Sequence, residues 1–477
     1  MRTETTDVCV IGSGAGGGLI AYEAAQRGLR TLVVERGPYV RGAQMNHDEL
    51  SMIPRLYKDG GLQLNTTLDM FILQGSCVGG STVLANYAMF RARPEVFHEW
   101  RRLGADLDLD ALDRSYAKVE KLLGTRRDPP ENVSPTSALL MKGATAMGLD
   151  VRWMEKALGD CTGCGGCNIG CVWDHKRSSL TTYIPWAEQR GARILADTTV
   201  EKIVWRKGQV QSLEATSGPA REPLRIVAKK VVVAGGAIGS PGLLLKSGIE
   251  KNVGRRVSFN VGAAIVAEFD EPIDAYDGDQ MSVVVHGDGY NIEPVHNPPG
   301  ATSLMTPGWF GDHARLMSRY RHIAFVGTMT GSQPTGRVVH SPFFGHEETR
   351  YRVSKEELGT LRRGMKDSAR AMFAAGARRV MLPSHRFQTV EDAAEIDAVM
   401  DAALATRKQF DRGTSHPQGG CAWSDDPELG AVDRNFAVHG FDNLFVCDAS
   451  VFPAGIGVNP IDTILAVADL AAPRILA

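Results

Sequence analysis

The sequence predicts an α/β fold in which a parallel sheet of short buried strands is interrupted by a second layer. Three observations carry that expectation. Short, wholly apolar runs such as Val8-Cys9-Val10-Ile11 suit strands buried on both faces of a parallel sheet. Glycine is in excess, 52 of 477 residues against a usual level of about 7 %, and it clusters at the ends of those runs. Long stretches of different character separate the runs. At about 150 residues per domain, the length accommodates two or three domains.

The elements follow in order. Run 8–11 leads into Gly12-Ser13-Gly14-Ala15-Gly16-Gly17, then a helical stretch at 19–27 that Gly28 breaks, then a buried run at 30–34 ending in Glu35. Gly12, Gly14 and Gly17 fit GxGxxG. The first permits a tight turn, the second lets the backbone approach a pyrophosphate, and the third lets helix pack on strand. The helix N-terminus would offer free N–H groups and a positive dipole end to phosphates. Glu35, about 20 residues on, would accept hydrogen bonds from ribose hydroxyls. A glycine loop without a ligand is the plain alternative, but the flanking strands and the acid favour a Rossmann-type dinucleotide site.

Leu109–Leu123 reads as an amphipathic helix. Residues 229–237 form another buried strand closed by glycines, with a helix at 241–246. They lack GxGxxG, so no second nucleotide fingerprint is visible. Residues 276–351 are rich in Gly, His, Pro and aromatics, and helices are expected at 354–375 and 390–407. Run 444–447 is a third such strand and ends in Asp448.

Charge and hydropathy exclude several classes. The 53 basic and 55 acidic residues leave −2, which offers no field for nucleic acid or anionic membranes. The best apolar run, 231–245, is broken by Gly235, Gly236, Gly239 and Pro241, short of the roughly 20 residues of a span. No signal peptide opens the chain, so a cytoplasmic setting with reduced thiols is expected. There Cys161, Cys164, Cys167 and Cys171, spaced C-x2-C-x2-C-x3-C, are a metal candidate ahead of disulfides. Cys9 and Cys447 lie in apolar strands and read as core; Cys77 and Cys421 need no redox role.

The remaining motifs are Gly79-Gly80-Ser81-Thr82 with Asn86, Gly236-Ala237-Ile238-Gly239-Ser240-Pro241 with Ser247-Gly248, and Ser415-His416-Pro417-Gln418-Gly419-Gly420. Asp448-Ala449-Ser450-Val451-Phe452-Pro453 and Gly457-Val458-Asn459-Pro460 with Thr463 close the set. In this order, over nearly the whole chain, they resemble the glucose–methanol–choline (GMC) flavoprotein oxidoreductases. The resemblance implies a Rossmann-type FAD-binding domain with an inserted α+β substrate domain, a mixed or antiparallel sheet plus helices. It implies oxidation of an alcohol CH–OH by hydride transfer to FAD, as a dehydrogenase or an oxidase. The FAD-binding domain would come in three parts, 1–100, 191–260 and 429–477. A linking segment with the cysteine cluster would occupy 101–190, and the substrate domain 261–428.

On the same resemblance, Gly12, Gly14 and Gly17 would hold the pyrophosphate and Glu35 the adenosine ribose. Gly79, Gly80 and Asn86 would lie along the flavin, although the family's asparagine usually follows Gly-Gly-Ser sooner. Val200 falls where the family's adenine-contacting backbone lies, and Asp448 would bind the ribityl-pyrophosphate region. His416, otherwise one of 12 histidines with a structural role, falls at the position of the catalytic base, where a pKa near operating pH is useful. Asn459 before Pro460 fits a helix cap. It also falls at the family's second catalytic position, where an amide would hydrogen-bond the substrate oxygen.

Some sugar dehydrogenases of the family carry an iron–sulfur centre on C-x5-C-x3-C, which Cys161, Cys167 and Cys171 satisfy. Zinc and a metal-free loop stay open, and Val172 stands where ferredoxins have proline. Glu268, Asp270, Glu271, Asp274, Asp277 and Asp279 are either a solvated loop or an acidic mouth for an amino sugar. The expected partners are a small alcohol, with a sugar or other polyol first, and oxygen or an external electron acceptor. A flavin-containing lyase of the hydroxynitrile type and an electron-transfer subunit with an iron–sulfur relay are the alternatives.

Overall fold

The computed structural model describes residues 2–341, 345–386 and 388–477. Arg2–Ile11, the helix Ala15–Gln26 and Thr31–Val34 form a strand–helix–strand unit whose strands pair in parallel, Val8 beside Thr31 and Ile11 beside Val34. Parallel neighbours need such a crossover. Arg193–Leu195 adds outside Thr31–Val34, while Glu222–Val233 and then Leu444–Val446 add on the other side. Val8, Cys9, Val10, Val231, Val232 and Val233 are buried, as the apolar runs require. Burial pushes the Cys9 thiol up to about 12, which leaves it an inert core residue. An antiparallel hairpin, Thr198–Arg206 and Gln209–Ser217, extends this seven-stranded sheet along the first half of Glu222–Val233.

A second, ten-stranded sheet is centred on Arg255–Glu268. Ile323–Gly331 and Arg379–Met381 flank it antiparallel, and Tyr290–Val295, Val283–His286 and Asp150–Trp153 continue it. Phe71–Ile72, Gly413–Thr414 and Pro417–Gly420 join as short strands. The second sheet thus draws strands from four of the five sequence segments, and Arg255–Glu268 starts before position 261.

Lys355–Ala375 packs on this sheet. Ser354 and Glu357 form a capping box at its start, and Gly376 at φ +109° ends it. Leu361, Met365, Ala369 and Met372 make its buried stripe. The helix expected at 390–407 is shorter, Ile396–Ala403 after one turn at Ala393–Glu395. Val390 instead pairs with Val380 at the sheet edge, which takes the first residues away from the helix. Among the described residues no helix is long and apolar enough to cross a membrane.

Candidate active site

A cavity of about 570 Å³ opens where the parallel strands end, at Ile11, Val34 and Val233. That is the edge at which open α/β sheets bind ligands. The glycine motif divides its labour there. A Cβ on Gly12, held at φ +103°, would lie 2.3 Å from the Ala234 carbonyl oxygen, and one on Gly17 would lie 2.1 Å from that of Gly12. The protein itself demands those two glycines. A Cβ on Gly14 would meet nothing within 4 Å and would project into open space at the cavity wall. Gly14→Ala should therefore fold normally and lower FAD affinity about tenfold, or about 1.4 kcal/mol. FAD retention after desalting, beside the melting temperature of the FAD-free protein, measures both.

Glu35 is buried at the same wall. Its Oε2 accepts from the Ser13 N–H at 3.0 Å and hydroxyl at 2.7 Å, and its Oε1 from the Gly37 N–H at 3.1 Å. The Ser13 hydroxyl also accepts from the Gly79 N–H at 2.9 Å, so a residue inside the motif, unmarked by it, ties Gly79 to Glu35. The Glu35 carbonyl accepts from the Thr198 N–H at 2.9 Å, which brings Val200 to the cavity. Gly80 and Asn86 also line it, and the buried Asn86 Oδ1 has no hydrogen-bond partner.

Gly17 and Gly79 are not on the lining. Gly79, at φ +95°, packs under it against Leu180 and Val83, so its contribution is a turn. Asp448 caps two elements: Oδ2 accepts from Gly236 N–H at 2.7 Å and from the Ser240 hydroxyl, and Oδ1 from Ser450 N–H at 2.7 Å. The open wall at Gly14, the Glu35 carboxylate, the orphaned Asn86 oxygen and the start of Ala15–Gln26 fit a dinucleotide such as FAD.

His416, Asn459 and Glu293 border the other part of the cavity. The expected cap at Asn459 is not made. Pro460 takes the cap position of Ile461–Ile475, and the buried Asn459 Oδ1 has no partner. Asn260, on Arg255–Glu268, reaches across from the second sheet. Its Nδ2 lies 2.7 Å from the Val458 carbonyl oxygen and 3.2 Å from His416 Nδ1. Exchanging the amide atoms would set two oxygens together at 2.7 Å, so Nδ2 donates to both. Nδ1 then accepts, and the neutral ring carries its proton on Nε2. Burial pushes the His416 imidazole down to about 4, so it is neutral at ordinary pH. The sequence expectation of a base thus meets a ring presented as a donor. Asn291 donates to the Gly457 carbonyl and Gln418 accepts from the Ile456 N–H, which anchors the loop that carries Asn459.

Glu293 has no motif. Only the alternation of Tyr290–Val295, with Ile292 turned to the core, could have placed it on a face of its own. Burial pushes its carboxyl up to about 7, with the Asn459 side chain pulling the other way.

The acidic cluster makes no mouth. None of its six carboxylates lines the cavity. Glu268 is held by Arg379 and Arg319, Asp274 by Arg321, and Asp270 lies 3.7 Å from Arg378. The four cysteines line a separate cavity of about 20 Å³. Yet among the described residues no group of three His, Cys, Asp or Glu side chains is arranged to hold a metal ion. Cys164 is exposed, and the Cys161 thiol is pushed up to about 12 by burial and by Asp279. What ties the loop down is Lys176, buried and donating to the Cys167 carbonyl at 2.7 Å and the Val83 carbonyl at 2.6 Å. The residues do not fit the expected iron–sulfur or zinc centre.

A parallel sheet with this glycine turn and terminal acid defines a Rossmann-type dinucleotide-binding protein. Residues 53–261 and 332–468 each match a family model described as GMC oxidoreductase, and residues 7–46 one described as FAD binding domain. The chain belongs to the GMC oxidoreductase family and is an FAD-dependent alcohol oxidoreductase. It is 30% identical to an uncharacterized GMC-type oxidoreductase of Mycobacterium tuberculosis, over 99% of this chain and 76% of the relative. A long-chain-alcohol oxidase of Arabidopsis thaliana is 26% identical over 98% of this chain and 67% of its own. The fold is that of pyridoxine 4-oxidase from Mesorbium loti, with a TM-score of 0.75 at 17% identity, covering 98% of this chain and 99% of the other.

Proposed function

We propose that the chain oxidises the hydroxyl of a largely apolar alcohol to a carbonyl, with His416 donating to the hydroxyl oxygen and Asn459 beside it. FAD, when bound, supplies the two-electron acceptor for the carbon-bound hydrogen. Gly12, Gly14, Glu35, Gly80, Asn86, Val200 and Asp448 would hold it. The observation that carries the reading is the shared cavity: the glycine turn and Glu35 at one wall, the orphaned Asn459 oxygen and the His416 ring at another. A polyol was the first expectation, and an amino sugar was tied to the acidic cluster, but none of those six carboxylates lines the cavity. Met281, Val295 and Met305 line the cavity instead, and Met305 is 44 % exposed, which marks it as the rim. Leu304, Trp309 and Phe310 are exposed beside it in sequence. The Arabidopsis relative's name agrees with an apolar substrate.

Electrons would leave to oxygen or to an external acceptor. Anaerobic addition of decanol, cholesterol, pyridoxine, glycerol and glucose tests the reading through flavin absorbance. Bleaching by decanol or cholesterol ahead of glycerol and glucose is expected. Carbonyl formation without bleaching would instead mark a lyase, and reduction only by a protein partner an electron carrier. Reoxidation by air against that by an artificial acceptor separates oxidase from dehydrogenase.

A further inference from the structure

We propose that Glu293, rather than His416, takes the proton of the substrate hydroxyl, while His416 Nε2–H donates a hydrogen bond to the same oxygen. The proposal rests on alcohol oxidation as the reaction. Five carboxylates line the cavity, and four are committed. Glu35 is held by Ser13 and Gly37, and Asp448 by Gly236, Ser240 and Ser450. Glu201 pairs with Arg221 and Lys246, and Glu347 lies 3.6 Å from Lys58. Glu293 is 7 % exposed, and its Oε1 is buried with no hydrogen-bond partner. Its cross-strand partner is Gly327, which has no side chain to satisfy it.

One carboxyl oxygen buried without a donor, and no cation beside the group, costs stability that packing does not explain. Its placement beside Asn459, on the lining that His416 shares, does. His416 cannot serve as acceptor through Nε2 while Asn260 donates to Nδ1. The step balances. The O–H bond breaks and its proton goes to the Glu293 carboxylate; the C–H hydrogen leaves with its electron pair to the flavin; the C=O bond forms. The proton is later lost to solvent.

Burial is the main influence on Glu293, Asn459 opposes it, and no charged side chain contributes. The carboxylate is the competent form, so the rate should rise with pH through about 7 and flatten above it. A histidine base would place that limb near 4 instead. Anaerobic stopped-flow reduction of the holoenzyme, with whichever of the five compounds bleaches it, tests the proposal. Glu293→Gln, nearly isosteric, should slow reduction about 10²–10⁴-fold and abolish the limb. His416→Ala should slow it but keep the limb, and Glu293→Asp should keep the limb at a reduced rate. The substrate-free flavin spectrum should show a step near pH 7 in wild type and in His416→Ala that Glu293→Gln lacks. FAD content and melting temperature control for folding. A Glu293→Gln enzyme with wild-type rate and limb, or a limb that vanishes only in His416→Ala, overturns the proposal alone. Failure of every compound to bleach wild type overturns the alcohol reading and the proposal with it.

Discussion

His416→Ala is expected to lower single-turnover flavin reduction about 10²–10³-fold, with FAD still bound and the melting temperature close to wild type. The size follows from the loss of one preorganised donor aimed at an oxygen where charge develops, in a site largely shielded from water. The ring is preorganised because both its neighbours are fixed. Thr414 Oγ1 accepts from the His416 N–H at 3.1 Å, and Asn260 holds Nδ1 from across the sheet. FAD should stay because the glycine turn, Glu35 and Asp448 keep all their partners. Neutrality of the ring also means that the substitution removes no charge, so little stability depends on it. Undiminished reduction by the variant would remove His416 from the chemistry altogether.

Asp128→Ala is the substitution with the largest expected effect on stability, about 3–5 kcal/mol. Lys156 and Asp128 are 1 % and 4 % exposed and 2.8 Å apart. Lys156 also donates to the Gln280 carbonyl at 2.7 Å, and the Ser282 hydroxyl donates to Asp128 at 2.7 Å. The pair thereby pins residues 128 and 156 to the segment entering Val283–His286, next to Met281 of the cavity wall. Removing the carboxylate leaves the buried ammonium with the Gln280 carbonyl and the neighbouring Asp279 carboxyl, and total stability is only about 5–15 kcal/mol. Urea midpoints of the wild type, the single variant and Asp128→Leu with Lys156→Met would measure this. The double variant should recover most of the loss, because it removes both charges of the pair. An unshifted midpoint in Asp128→Ala would show that the pair contributes nothing.

Much of the dinucleotide half was legible in the sequence. Buried parallel strands declare themselves as apolar runs, and a turn with φ +103° against a carbonyl requires glycine, as at Gly12. Glu35 and Asp448 were legible because each ends such a run. Asn459 was half legible: its position pointed to the cavity, but Asn-Pro also spells a cap, and only the fold puts Pro460 at that place. The cysteine spacing spoke for a metal, yet spacing says nothing of where four thiols point.

What the sequence determined by itself was therefore the α/β fold, the glycine turn and the placement of His416 and Asn459 in one family pattern. These depend on local backbone geometry and on short strings of residues. The tertiary structure decided the rest. Asn260 meets His416 across 156 positions, Arg379 neutralises Glu268 across 111, and Glu293 keeps one oxygen unpaired opposite a glycine. A side chain's protonation is set by burial and by whatever the fold brings beside it. Those partners come from strands far apart in the chain, so no local pattern encodes them.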